Sequence, residues 1–273
     1  LVTAPIMKLM GQILAALIIV GFGDLRIADF HGFFGLHPDY FVSLSISLLF
    51  IVFIVNGFNL IDGVDGLAAL TGIVVTLGFS FWFYINGDVI MPVLGSIIVG
   101  ALIAFLYYNV FSKNQKIFMG DTGSLLIGFL ISVFAIKFME GNVAAVRPSL
   151  DYTMTSAPGV ALGIMIVPVI DTIRVFFLRL SKGQSPFAAD KTHIHHRLLT
   201  LGFSHMGIAI LLMSGNIFFI VLSYCLKDLG TIKLLLLNFI LGMILFQLPS
   251  FAIRRKLRKL RRKGPASIEN EVK

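Results

Sequence analysis

Apolar residues fall into eight long runs, near 6–22, 40–57, 66–86, 90–110, 122–139, 157–177, 207–225 and 230–253. Each approaches the ~20 residues that a helix needs to cross a hydrocarbon core about 30 Å thick. None shows the alternation expected of membrane strands of about ten residues. The pattern predicts an all-α polytopic integral membrane protein with about eight transmembrane helices across residues 1–253, and a basic cytoplasmic tail at 254–273. The longest connections are 23–39, 140–156 and 178–206, and no internal repeat or separate soluble domain is visible.

Composition agrees with the pattern. Hydrophobic residues make up 57% of the chain and charged residues 13%, with a mean hydropathy of +0.94. A soluble domain carries about a quarter charged residues, so most of this surface needs no water. The net charge of +8 does not point to nucleic acid, because eight of the 22 Lys and Arg residues sit between Arg254 and Lys263, directly after an apolar run. Such a juxtamembrane cluster is a cytoplasmic topology signal that also meets anionic lipid. The single cysteine, Cys225, excludes an intrachain disulfide. The chain begins with Leu, and without a charged n-region, short apolar core and cleavage site no signal peptide is expected in it.

Charge in the loops sets the orientation. Loops near 23–39, 87–89, 140–156 and 226–229 hold Arg26, Arg147 and Lys227. The ends and the loops near 57–65, 111–121 and 178–206 hold Lys8, Lys113, Lys116, Arg179, Lys182, Lys191, Arg197 and the basic tail. The second set is therefore expected in the cytoplasm. It carries the polar motifs, whereas the outer loops hold scattered polar residues, among them His31, His37, Asp39, Glu140 and Asp151.

Three clusters carry candidate chemistry. In residues 56–66, Asn56, Asn59, Asp62 and Asp65 recur every third position among Gly57, Gly63 and Gly66. Glycines disfavour a continuous helix, so a helix ending near Asn56 and another beginning after Asp65 is expected. Asp65 as an N-cap is the plain alternative, but a cap accounts for one carboxylate, not two amides and two carboxylates. In Met119–Ser124, Asp121 precedes an apolar run and reads equally as a helix cap or a metal ligand. Helix N-termini attract phosphate, and magnesium takes one or two carboxylates plus phosphates and water. His193, His195 and His196 beside Asp190, Lys191 and Arg197 form an anion-binding or proton-handling patch. Zinc would need a further spaced ligand, which this segment does not supply.

Two other polar residues stand near span ends. Asp171 lies inside an apolar run with Arg174 as its i,i+3 neighbour, and a structural pair and a site role are both open. Asn109 is a helix C-cap or a substrate contact.

Four segments in this order, NGFNLIDGVDGLAAL at 56–70, KIFMGDTGSLLIG at 116–128, PVIDTIRV at 168–175 and SPFAADKTHIHHRLLTLGFSH at 185–205, resemble the polyprenyl-phosphate sugar-1-phosphate transferases. The histidine segment looks closest to the branch that uses UDP-N-acetylglucosamine or a related UDP-N-acetylhexosamine to start teichoic acid and O-antigen synthesis. The resemblance implies attack of a lipid phosphate on the β-phosphorus of the UDP-sugar, with UMP leaving. It implies Mg2+, or Mn2+ in its place, on Asp121. Asp62, Asp65 and His195 would join Asp121 in catalysis. Asn56, Asn59, Asn109, Asp171, His193, His196 and Arg197 would contact substrate. The expected partners are the UDP-N-acetylhexosamine, the polyprenyl phosphate lipid, the membrane and, with oligomeric state left open, a second copy in a homodimer; nucleic acid is not among them. The expected place is the bacterial cytoplasmic membrane, with the site facing the cytoplasm.

One departure stands out. The family carries an aspartate pair near the cytoplasmic end of an early span, and no Asp-Asp dipeptide occurs in this chain. A missing N-terminal portion is the expectation that follows, with a non-catalytic scaffold for envelope synthesis as the alternative. A transporter is a weaker alternative, because transporters place polar sites near the midplane, often at internal repeats.

Overall fold

The computed structural model describes residues 5–32, 38–112, 114–143, 153–183 and 192–263. Among these residues, ten α-helices follow one another: α1 (Pro5–Leu17), α2 (Tyr40–Ile61), α3 (Leu67–Ile85), α4 (Ile90–Leu106), α5 (Gly120–Gly141), α6 (Ala157–Ile164), α7 (Ile166–Leu180), α8 (Ile194–Thr200), α9 (His205–Cys225) and α10 (Thr231–Lys263). Single π-helical turns extend α1 over Ile18–Phe22 and α4 over Tyr107–Phe111. Among the described residues there is no strand. The chain is a polytopic membrane protein.

Among the described residues, six helices, rather than the expected eight, are long and apolar enough to cross a bilayer; they become seven when the bent pair α6–α7 counts as one span. Both differences have physical causes. The first apolar helix covers Ile6–Phe22, and 17 residues rise only about 25 Å, short of a core near 30 Å. The sixth run is broken at Met165, where α6 and α7 meet at 85°. Pro168 has no N–H for the carbonyl of Ile164, so the helix cannot continue straight. That carbonyl accepts instead from Asn216 Nδ2 of α9 at 3.0 Å, while Asn216 Oδ1 takes the Val167 N–H at 3.4 Å. One buried amide thus satisfies a broken helix where lipid offers no hydrogen bond.

Helix α2 packs on α5, α7 and α1. A Cβ on Gly128 of α5 would come within 2.8 Å of Val55 Cα on α2, so glycine is what lets these two backbones touch. An aromatic cluster of Phe79, Trp82, Phe83, Phe134 and Phe138 lies between α3 and α5. At the end away from the motifs, the Lys227 carbonyl accepts from Ser156 N at 3.0 Å and Thr231 Oγ1 donates to the His31 carbonyl at 2.8 Å. At the other end, α10 continues as one helix through Lys263 and so takes in the first ten residues of the basic tail.

Candidate active site

The motif end of the bundle is built around the turn between α2 and α3. Helix α2 runs to Ile61, five residues beyond the expected stop at Asn56. Gly57 is retained inside it because α7 lies close: a Cβ there would meet Thr172 Oγ1 at 3.2 Å. Asn56 and Asn59 are therefore helical, one turn apart, and Asp62 is the residue that ends the helix. Asp65 does not cap α3. Gly66 takes that position, and its N–H donates to Asn109 Oδ1 at 2.7 Å.

Asn59 Nδ2 donates to Asp121 Oδ1 at 3.0 Å and to Ser124 Oγ at 2.9 Å. Asp121 lies in the first turn of α5, whose positive dipole end favours its charge. Lys8 of α1 forms an ion pair with the other Asp121 oxygen. Asp62 faces the same helix start and accepts from the Gly120 N–H. Burial pushes the Asp62 carboxyl up to about 6, and the charges of Asp121 and Asp65 add to that against the Gly120 bond. A carboxylate whose charge is disfavoured beside a second, ionised one would gain from a divalent cation placed between the two, and Lys8 and Asn59 hold the Asp121 carboxyl below the usual range as its ionised member. Among the described residues no group of three or more His, Cys, Asp or Glu forms a cation cage. Magnesium does not require one, since substrate phosphates and water complete its shell.

Asp65 is held differently. Its Oδ2 meets Lys116 Nζ at 2.7 Å and His205 Nδ1 at 2.9 Å. Partial burial pushes this carboxyl up, but the Lys116 and His205 contacts outweigh it and hold it below the usual carboxylate range. Asp65 thus stays ionised under mildly acidic conditions in which Asp62 holds its proton.

The bend between α6 and α7 delivers the third motif. Asp171 is fully buried in α7. It accepts from Arg174 Nη2 at 2.7 Å and from the Ile194 N–H at 3.1 Å, and its Oδ2 meets His193 Nδ1 at 2.9 Å. The expected Asp171–Arg174 pair is present, and it also anchors the start of α8. From there His195 reaches the glycine turn: a Cβ on Gly63 would lie 2.5 Å from His195 Nε2. Burial pushes the His195 imidazole down to about 4, with neighbouring His196 adding to the effect. His195 is neutral at pH 7 and suits proton handling more than electrostatic anion binding. His193 and His195 lie with their rings nearly parallel, 5.9 Å apart. His193 Nε2 and His195 Nδ1 are buried without a hydrogen-bond partner among the described residues.

Asn59, Asp62, Asp65, Asp121, His193 and His195 are thus brought to one end of the bundle. Three other candidates are tied to the protein itself. Asn56 bonds Gln12 of α1 at 2.8 Å. Asn109, buried, bridges Gly66 and the Ile117 carbonyl. Arg197 turns to α10, where Nη1 donates to Gln247 Oε1 at 3.3 Å and to the Ser250 hydroxyl. His196 packs its ring 4.3 Å from His195. Asp190 and Lys191 lie outside the described residues. Sequence reasoning used Lys8 and Lys116 only as topology signals and gave His205 no role. The only sequence cue to their positions is that Lys116 opens the Met-Gly-Asp segment and His205 closes the histidine segment. A cavity of about 400 Å³ lies at the opposite end, between Asp24, Arg26, Lys137 and Glu140, roughly one helix length from this site.

Residues 2–139 match the family described as Glycosyl transferase family 4. The chain belongs to glycosyl transferase family 4. It is 33% identical over 219 residues to the decaprenyl-phosphate N-acetylglucosaminephosphotransferase of Mycolicibacterium smegmatis, covering 75% of this chain and 53% of that protein. It is 34% identical over 178 residues to the probable undecaprenyl-phosphate N-acetylglucosaminyl 1-phosphate transferase of Bacillus subtilis, covering 65% and 46%. Identity is 30% over 204 residues with the undecaprenyl-phosphate alpha-N-acetylglucosaminyl 1-phosphate transferase of Escherichia coli O157:H7, covering 71% and 51%. The chain spans about half the length of these curated relatives. Within this transferase family, the match covers α1 to α5 and so includes Asn59, Asp62, Asp65 and Asp121 but not the histidine segment.

Proposed function

We propose that this protein transfers N-acetylglucosamine-1-phosphate, or a related N-acetylhexosamine-1-phosphate, from a UDP-sugar to a polyprenyl phosphate. The observation that carries the reading is the meeting of Asp62 and Asp121, from two different motifs, at one end of a membrane-spanning bundle. A lipid phosphate anchored by its chain lies at that height, and a soluble nucleotide-sugar reaches it from the aqueous side. Lysine and arginine in the loops of this end support a cytoplasmic orientation, in the inner membrane of a bacterium.

In the reaction, an oxygen of the lipid phosphate bonds to the β-phosphorus of the UDP-sugar. The bond from that phosphorus to the bridging oxygen breaks, and UMP leaves with the electron pair. Phosphoryl transfer of this type rests on positioning and charge stabilisation. Asp62 and Asp121 would hold Mg2+, with Mn2+ a substitute, and the ion when bound would neutralise diphosphate charge. Asn59 orients Asp121. Asp65 holds Lys116 and His205 beside the glycine turn, within reach of donor phosphates. His193 Nε2 and His195 Nδ1, buried without a hydrogen-bond partner among the described residues, are the imidazole nitrogens that would bond the donor.

Full-length protein in detergent with polyprenyl phosphate and UDP-N-acetylglucosamine is expected to release UMP only with Mg2+ or Mn2+. Asp121→Asn is expected to abolish release. Undiminished release in that variant, or under excess chelator, would sink the metal assignment.

A further inference from the structure

Helix α10 is a single helix of 33 residues, about 50 Å long, and its apolar part ends at Arg255. Eight of the ten residues from 254 to 263 are Lys or Arg, and Arg254, Arg255 and Arg258 are exposed. Those ten residues rise about 15 Å along the axis. That matches the depth of one headgroup layer plus a Debye length of about 8 Å. Each basic residue near an anionic membrane surface adds roughly fivefold to association.

The same helix carries a weak point and a clamp. Pro249 lies inside it and has no N–H for the carbonyl of Leu245, so the helix flexes most easily there. Arg197 bridges that point: its Nη1 donates to Gln247 on one side of the proline and to Ser250 on the other. Arg197 sits in the last turn of α8, which packs on α10 and carries His195 against Gly63. Three residues separate Ser250 from Arg254, the first basic residue of the extension.

We infer that the basic extension of α10 is a docking surface for anionic phospholipid headgroups, and that Arg197 couples its position to the histidine helix α8. Lipid contact fixes the segment beyond Pro249, and the clamp passes that order to the residues backing the glycine turn. Arg197 is then a positioning residue and not a substrate ligand. The inference stands on α8 and α10 alone and needs no transfer reaction.

The test is hydrogen exchange on the full-length protein in phosphatidylcholine nanodiscs, with and without roughly a third phosphatidylglycerol, and with no substrate or metal. Phosphatidylglycerol is expected to slow exchange about fivefold in both 251–263 and 194–200. Arg197→Ala is expected to keep the first response and lose the second. Ser250→Ala, a milder change, is expected to weaken the second. Replacing Arg254, Arg255 and Arg258 together by Gln is expected to weaken both. Unchanged exchange in α5 reports that each variant is folded. A wild-type α8 that ignores phosphatidylglycerol overturns the coupling, as does an Arg197→Ala protein whose α8 response is undiminished. Protection confined to 251–263 would leave the cluster as a membrane anchor only and would also overturn it.

Discussion

Asn59 donates to Asp121 at 3.0 Å across 62 residues of chain, joining the last turn of α2 to the first turn of α5. The same amide nitrogen reaches Ser124, so one side chain sets where the Asp121 carboxylate points. Hydrogen bonds to charged groups contribute about 1.5–3 kcal/mol. Asn59→Ala is therefore expected to lower UMP release roughly 10- to 100-fold at saturating Mg2+. Asn59→Asp is expected to do worse, because it adds a third negative charge. A variant within twofold of wild type would remove Asn59 from the site.

Asp62 carries a pH signature. Its folded value of about 6 lies above the ordinary 3.8, so the folded state holds a proton there more tightly than the unfolded chain does. Stability is then lost as pH rises from about 4 to about 6 and stays lost above that. Asp62→Asn removes the penalty. After discounting for solvent screening of the exposed part, the gain at pH 7 is about 1 kcal/mol. Thermal unfolding in detergent without divalent ions is expected to show the Asp62→Asn protein more stable than wild type at pH 7.5, with the difference vanishing near pH 4. Activity should move the other way, absent in the variant and rising in wild type through pH 6 as Asp62 ionises. A variant less stable than wild type at pH 7.5 would contradict the assigned direction.

The spans were legible because an unbroken apolar run needs no partner to be recognised: lipid contact alone selects it. The break at Met165 was less so. Pro168 was visible, but whether a proline kinks or ends a helix depends on who satisfies the freed carbonyl, and Asn216 lies 52 residues from Ile164. The site divides in the same way. Asn59, Asp62, Asp65 and Asp121 stood out because amides and carboxylates beside glycines have no reason to border an apolar run unless a polar pocket exists. Lys8, 113 residues from Asp121, and His205, 140 from Asp65, gave no such signal, since their partners come only from the packing of α1 and α9. Arg197 looked like its histidine neighbours in sequence. One position on a short helix points it at α10 instead.

Gly63 is a steric test of how tightly the histidine helix seals the glycine turn. A Cβ there would stand 2.5 Å from His195 Nε2 and 3.0 Å from its Cε1, so the buried ring must move. Gly57 is the control: its Cβ would meet Thr172 Oγ1 at 3.2 Å, and a hydroxyl can yield by a few tenths of an ångström. Overpacking costs about 1–3 kcal/mol. Gly63→Ala is expected to lower the unfolding midpoint and cut UMP release by more than about a hundredfold. Gly57→Ala is expected to keep release within about tenfold. Equal effects of the two changes would mean that His195 does not back this turn.

Asp171 and Arg174 are both buried, and their partners are unequal. Asp171 also holds His193 and the Ile194 N–H, whereas Arg174 has one further bond, from Nη2 to the Thr192 carbonyl, and a buried Nη1 without a hydrogen-bond partner among the described residues. Removing one member of a buried pair costs about 3–5 kcal/mol, because the other charge is left unpaired. The costs should differ here. Asp171→Ala strands the arginine and releases the start of α8, so it belongs at the upper end. Arg174→Leu leaves a carboxylate that keeps two donors, so it belongs at or below the lower end. The double variant removes both charges, and buried pairs replaced by apolar residues are often neutral. It is expected to be less unstable than Asp171→Ala alone, although it still lacks the anchor for His193. Unfolding midpoints of the four proteins in one detergent decide the point. Additive losses would mean that the two charges do not act as a pair. Recovered stability without recovered UMP release would separate the ion pair's structural part from Asp171's hold on the histidine helix.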